Sequence, residues 1–172
     1  MSAKKSQPVY QIKITLNGTK PPVWRRMLVP GTIRLNRFHD VLQTVMGWTD
    51  SHLHQFISGE TFYSIPYDDF AFGPETMDER KYKLSQLLKK EKDSIIYEYD
   101  FGDSWEHLIV LEKILPANSD VVLPSCIKGK RACPPEDCGG VWGYQDLIEV
   151  IRNPSHPEYE EMLDWLGGEF DP

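Results

Sequence analysis

All three cysteines of the chain lie within residues 126–144, Cys-Ile-Lys-Gly-Lys-Arg-Ala-Cys-Pro-Pro-Glu-Asp-Cys-Gly-Gly-Val-Trp-Gly-Tyr. Two adjacent prolines and four glycines in one short stretch exclude a regular helix or a central strand. Proline removes backbone donors and fixes φ, and glycine is costly to order. Such a segment holds its shape only if a metal, a disulfide or packing under aromatic side chains ties it down. The sequence marks it as special without naming a reaction.

Around it, 172 residues suit one domain with a core of its own. The net charge of −7 argues against extensive direct DNA binding, which needs many Lys and Arg on one face. An odd cysteine count, no apolar stretch after the opening lysines and no run near the roughly 18 apolar residues of a membrane span point to a reducing, cytoplasmic setting without membrane partners. Residues 1–8 read as a mobile tail and 9–172 as a single domain.

Periodicity sets the order of elements. Val9–Leu16 alternates, with Tyr10, Ile12, Ile14 and Leu16 on one side. Asn17-Gly18 turns the chain into a partner strand, Val23–Val29. Asn36 is the expected cap of a helix carrying Phe38, Val41, Leu42 and Val45, stopped by Gly47. His52–Ser58 and Phe62–Ile65 form a hairpin across Gly59-Glu60, and 66–80, with Phe70-Ala-Phe72, is a long loop. Leu84, Leu87 and Leu88 mark a helical turn or two. Ile95–Phe101 and Trp105–Leu115 flank the Gly102-Asp103 turn. Two helices close the chain, about Tyr144–Arg152 and Pro157–Leu166, the second with a Ser155/Glu158 capping box and a Gly167-Gly168 stop. The fold class is α+β, a largely antiparallel sheet packed against helices, with the Cys/Pro/Gly-rich loop and two C-terminal helices.

Three constellations carry candidate chemistry. Cys126, Cys133 and Cys138, with His107 or His156 as a fourth ligand, offer zinc donors, although the spacing lacks the paired knuckles of structural sites. A Cys133–Cys138 redox pair and plain packed thiols are the alternatives. His52-Leu-His54 on a strand puts two imidazoles about 6.6 Å apart on one face, able to share a metal if a third ligand joins them. Tyr99-Asp-Phe-Gly-Asp-Ser-Trp-Glu-His107 supplies that ligand from Asp100, Asp103 or Glu106. Its Asp-Phe-Gly has none of the other kinase motifs and reads as a turn, and Trp105 and His107 share a face with apolar residues. Trp24-Arg25-Arg26 and Lys128, Lys130 and Arg131 are small basic clusters, set against Glu136, Asp137 and an acidic C-terminal third. There is no Walker loop, Rossmann fingerprint, Gly-x-Ser-x-Gly elbow or HExxH helix.

Pro-Pro-Val-Trp-Arg-Arg (21–26), Phe-His-Asp-Val-Leu-Gln-Thr-Val-Met-Gly-Trp (38–48), His-Leu-His-Gln-Phe (52–56), Tyr-Asp-Phe-Gly-Asp-Ser-Trp-Glu-His (99–107) and Arg-Ala-Cys-Pro-Pro-Glu-Asp-Cys-Gly-Gly (131–140) together resemble the plasmid pRiA4b ORF-3-like family. Asn-Pro-Ser-His-Pro-Glu-Tyr (153–159) and Trp-Leu-Gly-Gly-Glu-Phe-Asp-Pro (165–172) extend the resemblance to nearly the whole chain. The resemblance implies a mobile-element or nucleic-acid-related setting, since some members are labelled resolvase or repressor. This chain has its first serines, Ser2 and Ser6, in the tail and acidic closing helices, which fits neither label.

The expected function is a non-enzymatic binding or interaction module for a protein or nucleic-acid-associated partner. Its polar site would be drawn from His52, His54, Asp100, Asp103, Trp105, Glu106, His107, Arg131, Glu136 and Asp137. The alternative is a metal-dependent hydrolase with the ion on His52, His54 and His107.

Overall fold

A computed structural model describes residues 7–66, 76–117 and 120–172. The elements are β1 (Val9–Leu16), β2 (Trp24–Pro30), α1 (Leu35–Met46), β3 (His54–Ser58), β4 (Thr61–Ser64), β5 (Thr76–Asp78), a 3-10 turn (Glu79–Lys81), α2 (Leu84–Leu87), β6 (Ser94–Tyr99), β7 (Trp105–Leu115), β8 (Ser125–Lys130), α3 (Gly140–Ile151) and α4 (Tyr159–Leu166). The eight strands form one sheet in the order β5-β4-β3-β6-β7-β1-β2-β8, antiparallel at every pair except β4–β5. This is the expected α+β architecture. Phe70-Ala-Phe72 and the 1–6 tail lie outside the described residues.

β1 and β7 keep the bounds that alternation gives them, because each shows one apolar face to the core. Ile12, Ile14 and Leu16 pair with Leu111, Ile109 and His107, and Tyr97 and Tyr99 pair with His107 and Trp105. All nine side chains are at most 1% exposed. α1 covers this face with Leu35, Phe38, His39, Leu42, Gln43 and Met46, a stripe at helical spacing. It begins one residue before the expected cap. Arg34 holds the capping position without a side-chain bond and bridges to Lys83. Gly47 ends the helix at φ 81, a conformation open to glycine at no steric cost.

Three departures from the sequence reading have local causes. Ser125–Lys130 is a strand, and its position at the sheet edge tolerates exposed lysines. α3 starts at Gly140, four residues earlier than periodicity placed it. Gly140 has φ 68, and a Cβ there would meet the Asp103 carbonyl at 2.6 Å, so only glycine fits. The Ser155/Glu158 box does not form: Glu158 caps α4 with no side-chain bond.

The outer face of the sheet is tied by polar contacts. Arg26 donates to both oxygens of Glu112 at 2.6 and 2.8 Å, and Lys13 and Arg26 stack on Trp24 at 5.2 and 5.3 Å. On the opposite, helix-covered face Arg25 spends its guanidinium on the carbonyls of Trp24, Val45 and Lys130 and on Cys133 Sγ. The Trp-Arg-Arg cluster is thus cross-strand bracing. Among the described residues no helix is long and apolar enough to cross a membrane.

His107 sits inside this core at 0% exposure. Its Nδ1–H donates to the Tyr97 carbonyl at 3.2 Å, and its Nε2 has no partner. Burial drives its pKa down from 6.5 to about 4. The unfolded chain takes up the proton near pH 6.5 and the folded chain only near pH 4. Stability therefore falls as the pH drops through that window, by roughly 3 kcal/mol for this group. Urea unfolding of wild type and His107→Leu from pH 7 to pH 4 checks this: the variant should lose distinctly less stability on acidification.

Candidate functional site

A cleft of about 520 Å³ opens between the N-terminal half of α1, residues 50–54 and the Glu79 turn. His39 comes from the core stripe of α1 and His54 from the first position of β3. Their rings stack with centroids 3.5 Å apart and planes 8° from parallel. His39 Nδ1 lies 2.8 Å from Tyr97 Oη and His39 Nε2 2.8 Å from Asp50 Oδ1. His54 Nε2 lies 2.9 Å from Glu79 Oε2. Each imidazole is thus aligned by a carboxylate.

Local structure explains the convergence. Asp78 caps the 3-10 turn by accepting the Arg80 N–H, and the Arg80 side chain bonded to it holds the Asp78 carboxyl down at about 2. Leu35 and Leu84 N–H groups donate to the Tyr82 and Ile33 carbonyls, clamping residues 79–84 to the start of α1. Glu79 is thereby carried under the cleft at 0% exposure, with Oε1 left without a partner. The Asp50 N–H donates to Gln43 Oε1, which fixes the left-handed turn at Asp50, φ 56. Burial, followed by the neighbouring His54, lowers the pKa of His39, against opposite pulls from Asp50 and Glu79. His39 is the neutral imidazole that metal ligation needs.

Beside this group, His52 Nε2 lies 3.0 Å from Asp137 Oδ1 and 3.7 Å from Asp100 Oδ2. The closer approach is in ion-pair range but outside hydrogen-bond geometry. Glu136 receives the Tyr99 hydroxyl at 2.5 Å and the Thr49 hydroxyl at 2.6 Å. Asp103 Oδ2 receives the Gly139 N–H at 3.2 Å. Trp48 donates its indole N–H to the Pro134 carbonyl at 2.9 Å.

The structure therefore brings His52, Asp100, Glu136 and Asp137 to one corner, with Asp103 at the start of α3. It separates the three histidines expected to share an ion. His54 faces His39 and Glu79, while His52 turns to the aspartates. His107 lies two strands from His54 across β6, roughly 10 Å at ordinary strand spacing. Trp105 is buried in the core, Glu106 is exposed, and Arg131 lines a separate depression with Thr19, Tyr144 and Arg152. Among the described residues two groups have ligand atoms all within 4.8 Å of one another: His39, Asp50 and His54, and His52, Asp100 and Asp137. The thiols belong to neither. Sequence reasoning missed His39, Asp50 and Glu79. The legible trace was a polar pair, His39 and Gln43, on the apolar stripe of α1.

An α+β domain with a histidine–carboxylate cleft, touched by the cysteine segment at His52, is thus defined. Residues 8–172 match the family described as Plasmid pRiA4b ORF-3-like protein, and the chain belongs to that family. It is similar to "Uncharacterized protein y4hQ" of Sinorhizobium fredii (strain NBRC 101917 / NGR234), 42% identical over 160 residues, which cover 92% of this chain and 81% of that protein. It is also similar to the crystal structure of "Protein of Unknown Function MM3350" from Methanosarcina mazei Go1. That comparison has a TM-score of 0.85 and 39% identity, and covers 97% of this chain and 94% of the other.

All three thiols are free. Burial pushes Cys133 up to about 11, against the pull of Arg25, and Cys138 up to about 12, with Asp103 adding to the rise. Neither has the lowered thiolate pKa that a redox pair requires. Alkylation with iodoacetamide at pH 8, followed by peptide mass spectrometry, should label exposed Cys126 first and leave Cys133 and Cys138 largely unmodified until denaturant is added. Equal native labelling of all three would contradict this ordering.

Proposed function

We propose that the protein binds a divalent transition-metal ion in the histidine cleft and uses it for hydrolytic chemistry. The ligands are His39, His54 and Asp50, with Glu79 behind them. The observation that carries this reading is the stacked imidazole pair flanked by two carboxylates, one of which is fully buried with an oxygen lacking any partner. Leaving such an oxygen unmet costs about 1–3 kcal/mol or more, and a nearby cation or proton offsets that cost.

The donor set of imidazole nitrogen and carboxylate oxygen suits zinc, manganese or ferrous iron. Tetrahedral zinc with bonds of about 2.0–2.1 Å sets its donors about 3.3 Å apart, a modest rearrangement for atoms already within 4.8 Å. Structural sites close with four protein ligands. Three ligands at an open cleft leave a position for water, whose pKa the ion lowers. The free oxygen of Glu79 is the base this arrangement offers. Tyr97, bonded to His39 Nδ1, supplies the outer contact that orients a ligating ring.

The mobile-element or nucleic-acid association comes only from the labels of family members. The charge of −7 and the internal use of Arg25 and Arg26 count against a phosphate-gripping face. The reading as an interaction module has its own support in the exposed aromatic face of the C-terminal helices.

Calorimetric titration of chelator-treated protein with zinc, manganese and cobalt tests the proposal. One ion should bind at micromolar affinity or better. His54→Ala and His39→Ala should each weaken binding by about 100-fold. Affinity should fall on acidification, since protons compete with the ion for the imidazole nitrogens. A panel of chromogenic phosphate and carboxylate esters should show turnover that requires the ion and is lost in His54→Ala. Absence of binding overturns the proposal; binding without turnover overturns its hydrolytic half.

A further inference from the structure

α4 meets the core only partly, through Met162 and Leu166. Five of its eight residues, Tyr159, Met162, Leu163, Trp165 and Leu166, are apolar or aromatic, yet none of the eight is buried. Short helices in water draw most of their stability from packing an apolar face. Here part of that face stays open. Trp165 is 51% exposed, and Trp142 of α3 is 80% exposed, one residue from Gly143 on the facing wall.

Between α3, α4 and the end of the cysteine segment runs a groove of about 340 Å³. Leu147, Met162 and Trp165 make its apolar lining, Asp137, Glu158 and Glu161 carry its charge, and no Lys or Arg lines it. α4 itself contains no basic residue. An anionic rim around an aromatic floor repels nucleic-acid phosphates and complements Lys and Arg side chains, whose stems pack on tryptophan while their heads meet carboxylates.

We propose that the α3–α4 groove is a docking site for a basic segment of another polypeptide that inserts an apolar anchor beside Trp165. This is independent of the metal reading. The two surfaces meet only at Asp137, which pairs with His52 on one side and lines the groove on the other.

The probe is a fluorescein-labelled peptide of lysine and leucine at helical spacing, measured by anisotropy on the full chain. A glutamate-for-lysine peptide and a leucine-free polylysine serve as controls. The lysine–leucine peptide should bind with Kd near about 10 μM and both controls much more weakly. Glu158→Lys, Glu161→Lys and Trp165→Ser should each weaken binding by about tenfold or more. Glu60→Lys, the same charge change in the β3–β4 turn, should alter it less than about twofold. All three charge variants lie on exposed positions, and circular dichroism confirms that each remains folded. No binding, or equal losses from Glu60→Lys and Glu158→Lys, overturns the site. Self-association by light scattering that Trp165→Ser abolishes assigns the groove to a second copy of this chain and overturns the basic partner. Unchanged metal affinity in Glu158→Lys confirms that the two surfaces are read separately.

Discussion

Two phenol hydroxyls on one face of β6 organise the molecule. Tyr97 and Tyr99 are both 0% exposed, and a buried hydroxyl has to be met by a partner. Tyr97 Oη lies 2.8 Å from His39 Nδ1 and accepts from Gln43 Nε2 at 3.0 Å, which fixes α1 on the sheet. Tyr99 Oη accepts the Ser51 N–H at 3.0 Å and donates to Glu136, which fixes both the approach to β3 and the cysteine segment. Residues two apart on one strand thus aim at a helix and at a loop, and the cleft forms beside these anchor points. Burial raises the pKa of both phenols, so each keeps its proton.

The same contacts answer what orders residues 126–144. Neither thiol chemistry nor a shared ion is needed to close that segment. Trp48 packs on Tyr99 with centroids 5.0 Å apart, meets Trp105 at 6.0 Å, and donates its N–H to the Pro134 carbonyl. Proline's lack of a donor is no handicap there, because its carbonyl makes the bond. Glu136, Asp137 and Gly139 then fasten the chain to Tyr99, His52 and Asp103. The two inner cysteines pack as ordinary small hydrophobes, Cys133 against Met46 and Arg25.

How much of this was legible follows from the range of each interaction. β1 and β7 were readable because a period of two is local, and their faces are either core or solvent. Gly47 and Gly167 were readable as helix stops because a left-handed residue is a local demand. β5 was hidden: three residues paired in parallel to β4 leave no periodic trace. His52-Leu-His54 drew attention as a pair, but alternation predicts only a shared face. Departure from extended geometry before β3 sends the two rings to different partners. His39 and Glu79 lie fifteen and twenty-five residues from His54, so their convergence is a property of the packed sheet and no spacing rule reports it. Only the polar intrusion on the stripe of α1 hinted that something besides hydrocarbon was being accommodated.

That intrusion bears on where the fold gives up stability. Five buried side-chain polar atoms among the described residues lack a hydrogen-bond partner. Three of them, on Asn36, His52 and Glu79, belong to residues lining the one cleft. The other two, on Trp105 and His107, are uncharged groups in an aromatic core. Elsewhere a buried polar atom is met even when the partner is distant in sequence, as Tyr10 meets the Leu88 carbonyl seventy-eight residues away. A chain that meets remote groups in this way and then leaves a fully buried carboxylate half-bonded gathers most of its exceptions at one cleft. Local violations of otherwise consistent packing concentrate at functional sites. The cleft around Glu79 is the part of this sheet whose polar groups are arranged for something other than the fold itself.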